Sequence, residues 1–174
     1  MKLIQVSVSK NDCFSLYPQI IYTRQSYIYS LFHWNTLFFL LFLETQVVAG
    51  LSSHQQVDQN YFIVGGTRSG EGAVISRGRA KADDVWYLGR NATSNHDGWY
   101  RLQTNYDHWN PTPKADDRRT PGYLNMDKMG QEHVATDLFK DVVHVWPTFN
   151  HHTDYTVMMS ASDGQYESMV WKDN

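Results

Sequence analysis

Cysteine is almost missing from this 174-residue chain: Cys13 stands alone, so no disulfide can close within it. Cysteine usage therefore does not separate a reducing from an oxidising compartment. Charge of one sign is missing as well. Fifteen basic and eighteen acidic residues leave a formal charge of −3, and the basic ones are scattered, which excludes the electrostatic footprint of a nucleic-acid partner. No apolar run has the roughly 20 residues that cross a bilayer. From Tyr27 to Gly50 the chain is strongly apolar, but His33, Asn35 and Glu44 interrupt it around a short LFFLLFL core. No internal repeat is visible. What is abundant is aromatic: six Trp and eleven Tyr in a chain that is 14% aromatic exclude disorder and suit a well-packed body or an apolar ligand site. The length fits one domain, or one piece of a larger one.

Residues 1–58 read as a hydrophobic leader. Several readings stay open: a targeting-like segment with a cleavage site near Val47-Val48-Ala49, a membrane anchor through residues 27–50, a buried helix, or a stretch foreign to the folded domain, such as a gene-model artefact. Residues 59–174 are patterned as a domain. Tyr61–Val64 and Ala73–Ser76 read as strands joined through glycine-rich turns into a hairpin. Val85–Leu88 and Trp99–Gln103 read as two further strands, parted by a turn-rich segment that holds the glycosylation sequon at Asn91 and an Asp97-Gly98 turn signal. A helix is predicted from Thr120-Pro121 to about Gln131, and a second one capped by Thr136 and ended by Pro147. Asp154–Ala161 and Gln165–Trp171 flank Asp163-Gly164 as a last hairpin. Strands, then helices, then strands argue α+β, with antiparallel sheets covered by helices.

The polar residues concentrate in QTNYDHWNPTPKADDRR, residues 103–119. Asn105 falls just past a predicted strand, where a rigidly held amide could donate to a developing oxyanion, although asparagine is also a common turn residue. Asp107 and His108 are adjacent, so on an extended chain they point to opposite faces and serve as scaffold more than as an acid/base pair. Arg118 and Arg119 beside Asp116 and Asp117 form either a self-neutralised surface cluster or, if one turns inward, a planar fork that orients a carboxylate or a carbonyl.

Here TNYDHW and DDRRTP, with the preceding YFIVGGTRSGEGAVISRGR and GWYRLQ segments and the later YTVMMSASDGQYES, resemble the acid ceramidase and N-acylethanolamine-hydrolysing acid amidase family, lysosomal amidases of the N-terminal-nucleophile class. The resemblance runs from about Tyr61 to Trp171, the C-terminal part of that family's catalytic β-subunit. It implies part of an αββα sandwich and hydrolysis of the fatty-acyl amide of ceramide or an N-acylethanolamine, by a cysteine freed as a new N-terminus whose own α-amine is the base. Asn105 matches the oxyanion donor and Arg118 an active-site arginine, with Tyr106, Asp107, His108, Trp109 and Asp117 as the supporting motif. The family pairs an α- and a β-subunit from one precursor and works in the lysosome; no cofactor or metal is expected. The Cys-Thr-Ser start of the family's catalytic subunit and its Arg-x-x-Asp strand are not in this sequence, and Cys13 is read as a free, inert thiol. The expectation is a chain inactive by itself, with a lipid-binding or complementing fragment and a small membrane-anchored protein as the alternatives.

Overall fold

Three short runs rich in β-branched and aromatic residues, parted by glycine turns, build the first sheet. In a computed structural model, which describes residues 4–9 (as backbone), 44–89 and 98–171, strand β1 is Ile4–Ser9 and helix α1 is Glu44–Ser53. Strands β2 (Asn60–Gly65), β3 (Gly72–Arg77) and β4 (Ala82–Tyr87) follow and pair antiparallel in that order. Cys13, Asn91, Asp97 and residues 27–43 lie outside the described residues. Registers Phe62↔Ile75↔Val85 and Val64↔Ala73↔Tyr87 set one face of the sheet, while Tyr61↔Ser76↔Asp84 and Ile63↔Val74↔Trp86 set the other. α1 covers the first face, with Val48 buried among Phe62, Ala73 and Ile75. Burying each such side chain contributes about 1.5–3 kcal/mol. α1 lies within the stretch that composition sets apart as a leader, and it packs on the sheet as part of the folded body. Every residue of β3 is buried, so its second face must be covered too.

The predicted β2–β3 hairpin is present, and its turn closes with Gly70 at φ +80°, a conformation that favours glycine. Trp99–Gln103, expected as a fourth strand, is not one. A strand would send successive side chains to opposite faces, yet Trp99, Tyr100 and Leu102 all pack on one cluster, with Trp99 edge-on to Tyr100 at 4.7 Å. That cluster is the helical core. Helix α2 (Arg119–Met129) supplies Met126 and Met129; helix α3 (Val134–Leu138), continued by a π-turn at Phe139–Val143, supplies Val134, Leu138, Val142 and Val143. Gly122 lets α2 approach the 98–103 segment, since a Cβ there would lie 2.6 Å from Leu102 Cδ2.

Thr136, read as a cap, sits inside α3, and its hydroxyl donates back to His133 O at 3.2 Å. The helical run starts two residues earlier and ends at Val143 rather than at Pro147. The last hairpin is as expected: β5 (Thr153–Ser160) pairs antiparallel with β6 (Gln165–Val170) through a turn with Gly164 at φ +70°, and β1 pairs on the other side of β5. Trp171, just past β6, stacks with His144 and Phe139 and donates from Nε1 to the buried Thr156 hydroxyl at 3.0 Å, which ties this hairpin to the π-turn. No described helix is long and apolar enough to cross a membrane.

Candidate active site

The open face of the β2–β4 sheet is covered by residues 105–110. Tyr61 on β2 donates its hydroxyl to Asp107 Oδ1 at 2.8 Å, and Asn110 Nδ2 donates to Asp107 Oδ2 at 3.3 Å. Burial foremost, then this hydrogen bond and the charge of Asp107, push the Tyr61 phenol above its ordinary range, while Arg119 pulls the other way. Tyr61 stays neutral and remains a donor.

His108 reaches the same face of the sheet at its other outer strand, because residues 108–109 turn rather than run extended. Its Nε2 lies 3.0 Å from Asp84 Oδ2 on β4, and because a carboxylate only accepts, the ring proton is on Nε2. The imidazole lies flat on Trp86 at 4.2 Å and 8° and meets Trp109 edge-on at 4.9 Å. Arg101 sits 4.5 Å from the Trp86 ring centre and donates from Nε to Tyr87 O at 3.1 Å. Asp107 and His108 are thus two pegs into β2 and β4, the outer strands on either side of β3.

The two arginines part company. Arg119 turns inward: Nη1 donates to Asn110 O at 2.6 Å and His108 O at 3.5 Å, and Nη2 to Tyr106 O at 2.6 Å and Asp107 O at 2.9 Å. Arg118 faces Asp116, with Nε to Oδ1 at 3.1 Å and Nη2 to Oδ2 at 3.3 Å. Its side chain is only 13% exposed, so this is a largely buried fork and not the solvated charge of a surface run. The Tyr106 hydroxyl donates to the same Asp116 at 2.9 Å, which brings the residue after Asn105 and Arg118 onto one carboxylate. Asp117 accepts from Thr120 N at 2.9 Å and caps α2; that bond first of all holds its carboxyl below the usual range.

Asn105 is half-buried and enters none of these hydrogen bonds. On one side of it Gln103 Nε2 donates to Thr104 O at 2.6 Å and Tyr106 O at 3.0 Å. Among the described residues the Asn105 side-chain amide has no hydrogen-bond partner, and an oxyanion donor requires such an available N–H on a held backbone. The sequence motif did not reveal Gln103, Tyr61, Asp84, Trp86 and Asp116 as its supports. The two-residue alternation of β2 and β4 is the signal that places Tyr61, Asp84 and Trp86 on one face; nothing local links that face to residue 108.

Comparison with known proteins agrees with this architecture. No family model matches the chain. The C. elegans N-acylethanolamine-hydrolysing acid amidase ortholog superposes with a TM-score of 0.62 over 98% of this chain and 74% of its own, at 22% identity. The chain therefore has that α+β fold, with antiparallel sheets and covering helices. In sequence it is similar to the acid ceramidases and N-acylethanolamine-hydrolysing acid amidases: 42% identical to the rat N-acylethanolamine-hydrolysing acid amidase over 111 residues, and 40% identical to the bovine acid ceramidase over 110 residues. Those alignments cover 63% of this chain but only 30% and 27% of the relatives.

Proposed function

We propose that this chain is the oxyanion-side body of a hydrolase acting on the fatty-acyl amide bond of ceramide or an N-acylethanolamine. Asn105 donates its side-chain N–H to the carbonyl oxygen as a thiolate adds to the carbonyl carbon. Collapse of that adduct expels the protonated amine and leaves an acyl thioester for water to hydrolyse. Arg118, its charge anchored by Asp116, adds positive potential to the same wall, and residues 106–110 with Asp117 hold that wall to the sheet and to α2. The observation that carries this reading is the Asn105 amide, unengaged among the described residues and set between the held carbonyls of Thr104 and Tyr106. The nucleophile is not supplied by Cys13, and the chain by itself does not turn over substrate. Such a body works in an acidic lysosomal or secretory compartment, paired with a catalytic half.

The test is fatty-acid release from a ceramide and from N-palmitoylethanolamine at acidic pH. The purified chain alone is expected to be inactive, and turnover lost on Cys13→Ala would overturn that. Exchanging the matched segment of the rat amidase for residues 61–171 should preserve hydrolysis. In that chimera Asn105→Ala should lower kcat by about 100-fold or more, the cost of losing one oxyanion donor. An active chimera indifferent to Asn105→Ala would rule the assignment out.

A further inference from the structure

We propose that Arg119 and Gln103 are positioning residues that aim Asn105; the inference rests on the reading of Asn105 as oxyanion donor. The two side chains hold the peptide unit before Asn105 and the units from Tyr106 onward. Gln103 Nε2 holds Thr104 O at 2.6 Å and Tyr106 O at 3.0 Å. Arg119 holds Tyr106 O at 2.6 Å and Asp107 O at 2.9 Å, and extends the grip to His108 O and Asn110 O. Tyr106 O, one peptide beyond Asn105's own carbonyl, takes a donor from each. With the backbone held at Thr104 O and Tyr106 O, the direction in which the Asn105 Cα–Cβ bond leaves the chain is set.

The arrangement is costly, and the cost points to placement rather than stability. Gln103 Oε1, Thr104 Oγ1 and Arg119 Nε are buried without a partner, each a penalty of about 1–3 kcal/mol. These three atoms belong to the clamp itself, at residues 103, 104 and 119. Sequences break local rules of this kind where geometry serves a site. Only arginine fits the role, because its planar fork reaches four carbonyls at once and stays charged at any pH. Lysine offers one point donor.

The experiment uses the full chain, isotopically labelled, with the Asn105 side-chain amide signals assigned by their loss in Asn105→Asp. Arg119→Lys is expected to shift or broaden those signals and to make amides 106–110 exchange about tenfold faster, the effect of losing one hydrogen bond to a charged group. Unchanged Asn105 signals and exchange would overturn the proposal. Gln103→Leu removes the second clamp without touching α2 and is expected to move the same signals; should Arg119→Lys fail to fold, this variant decides in the same way. In hydrolysis by the full chain complemented with the catalytic half of the rat amidase, Arg119→Lys should lower kcat about 100-fold at unchanged KM, the scale of a misplacement of about 1 Å. Equal losses in kcat and stability with a raised KM would count against positioning. Wild-type chain that gives no hydrolysis in that mixture would sink the amidase reading and leave the clamp to be settled by the Asn105 signals.

Discussion

Two neighbouring arginines in one run carry opposite duties, and the difference lies in what each can reach. Arg119 is the first residue of α2 and spends its fork on main-chain carbonyls of the 106–110 turn, whereas Arg118 meets the Asp116 carboxylate. Asp117 between Asp116 and the helix has a third duty. Its carboxylate accepts from Thr120 N, and this bond depresses its native pKa. A depressed carboxyl stabilises the fold fully above its unfolded value, about 3.9, and loses that contribution as pH falls through the native value. The cap therefore persists in an acidic compartment. Asp117→Ala should cost about 1 kcal/mol at neutral pH. Asp117→Asn, which keeps an acceptor, should flatten the loss of thermal stability between about pH 5 and about pH 3; melting curves that fall equally steeply in both proteins would disprove the linkage.

At the scale of elements, β3 is the strand on which the site depends, because α1 and the 105–110 turn cover its opposite faces. Ile75 is fully buried on the α1 face. Ile75→Ala should cost about 3 kcal/mol in urea unfolding through lost burial and the cavity left behind, and a loss below about 1 kcal/mol would mean that α1 does not seal that face. β2, β3, β4, α2 and the last hairpin were legible in the sequence, because alternation, glycine turns and Pro121 in the first turn of a helix are local signals. The segment 99–103 was not legible. Its aromatic content has strand character, but tertiary packing against Met126 and Met129 decides its shape. Asn105 and Arg118 stood out by resemblance, while Asp84 and Tyr61 escaped notice because their partners, His108 and Asp107, are 24 and 46 residues away.

At the scale of the molecule, the described residues form two apolar clusters, one of α1 with the β2–β4 sheet and one of α2 and α3 with Tyr100 and Met158 of β5. Residues 103–119 join them. On one side Asp107 and His108 peg into β2 and β4; on the other the chain runs straight into α2 through the Asp117 cap. Polar density in this stretch thus serves as a joint between layers as well as a wall for chemistry, and the two duties are compatible, since a donor aimed from a joint inherits the rigidity of both layers. Cooperative unfolding should depend on it. The intact chain is expected to unfold in one transition, with tryptophan fluorescence and far-ultraviolet circular dichroism coinciding in urea. Tyr61→Phe with His108→Ala removes both pegs and spares both apolar clusters, each change costing about 1–2 kcal/mol. Fluorotryptophan labelling resolves Trp86 on the sheet from Trp99 on the helical cluster, so their fluorine signals followed in urea report the two layers separately. Midpoints that separate would show the layers uncoupled; midpoints that stay together, with stability lost only as the sum of the single changes, would show that the joint lies elsewhere.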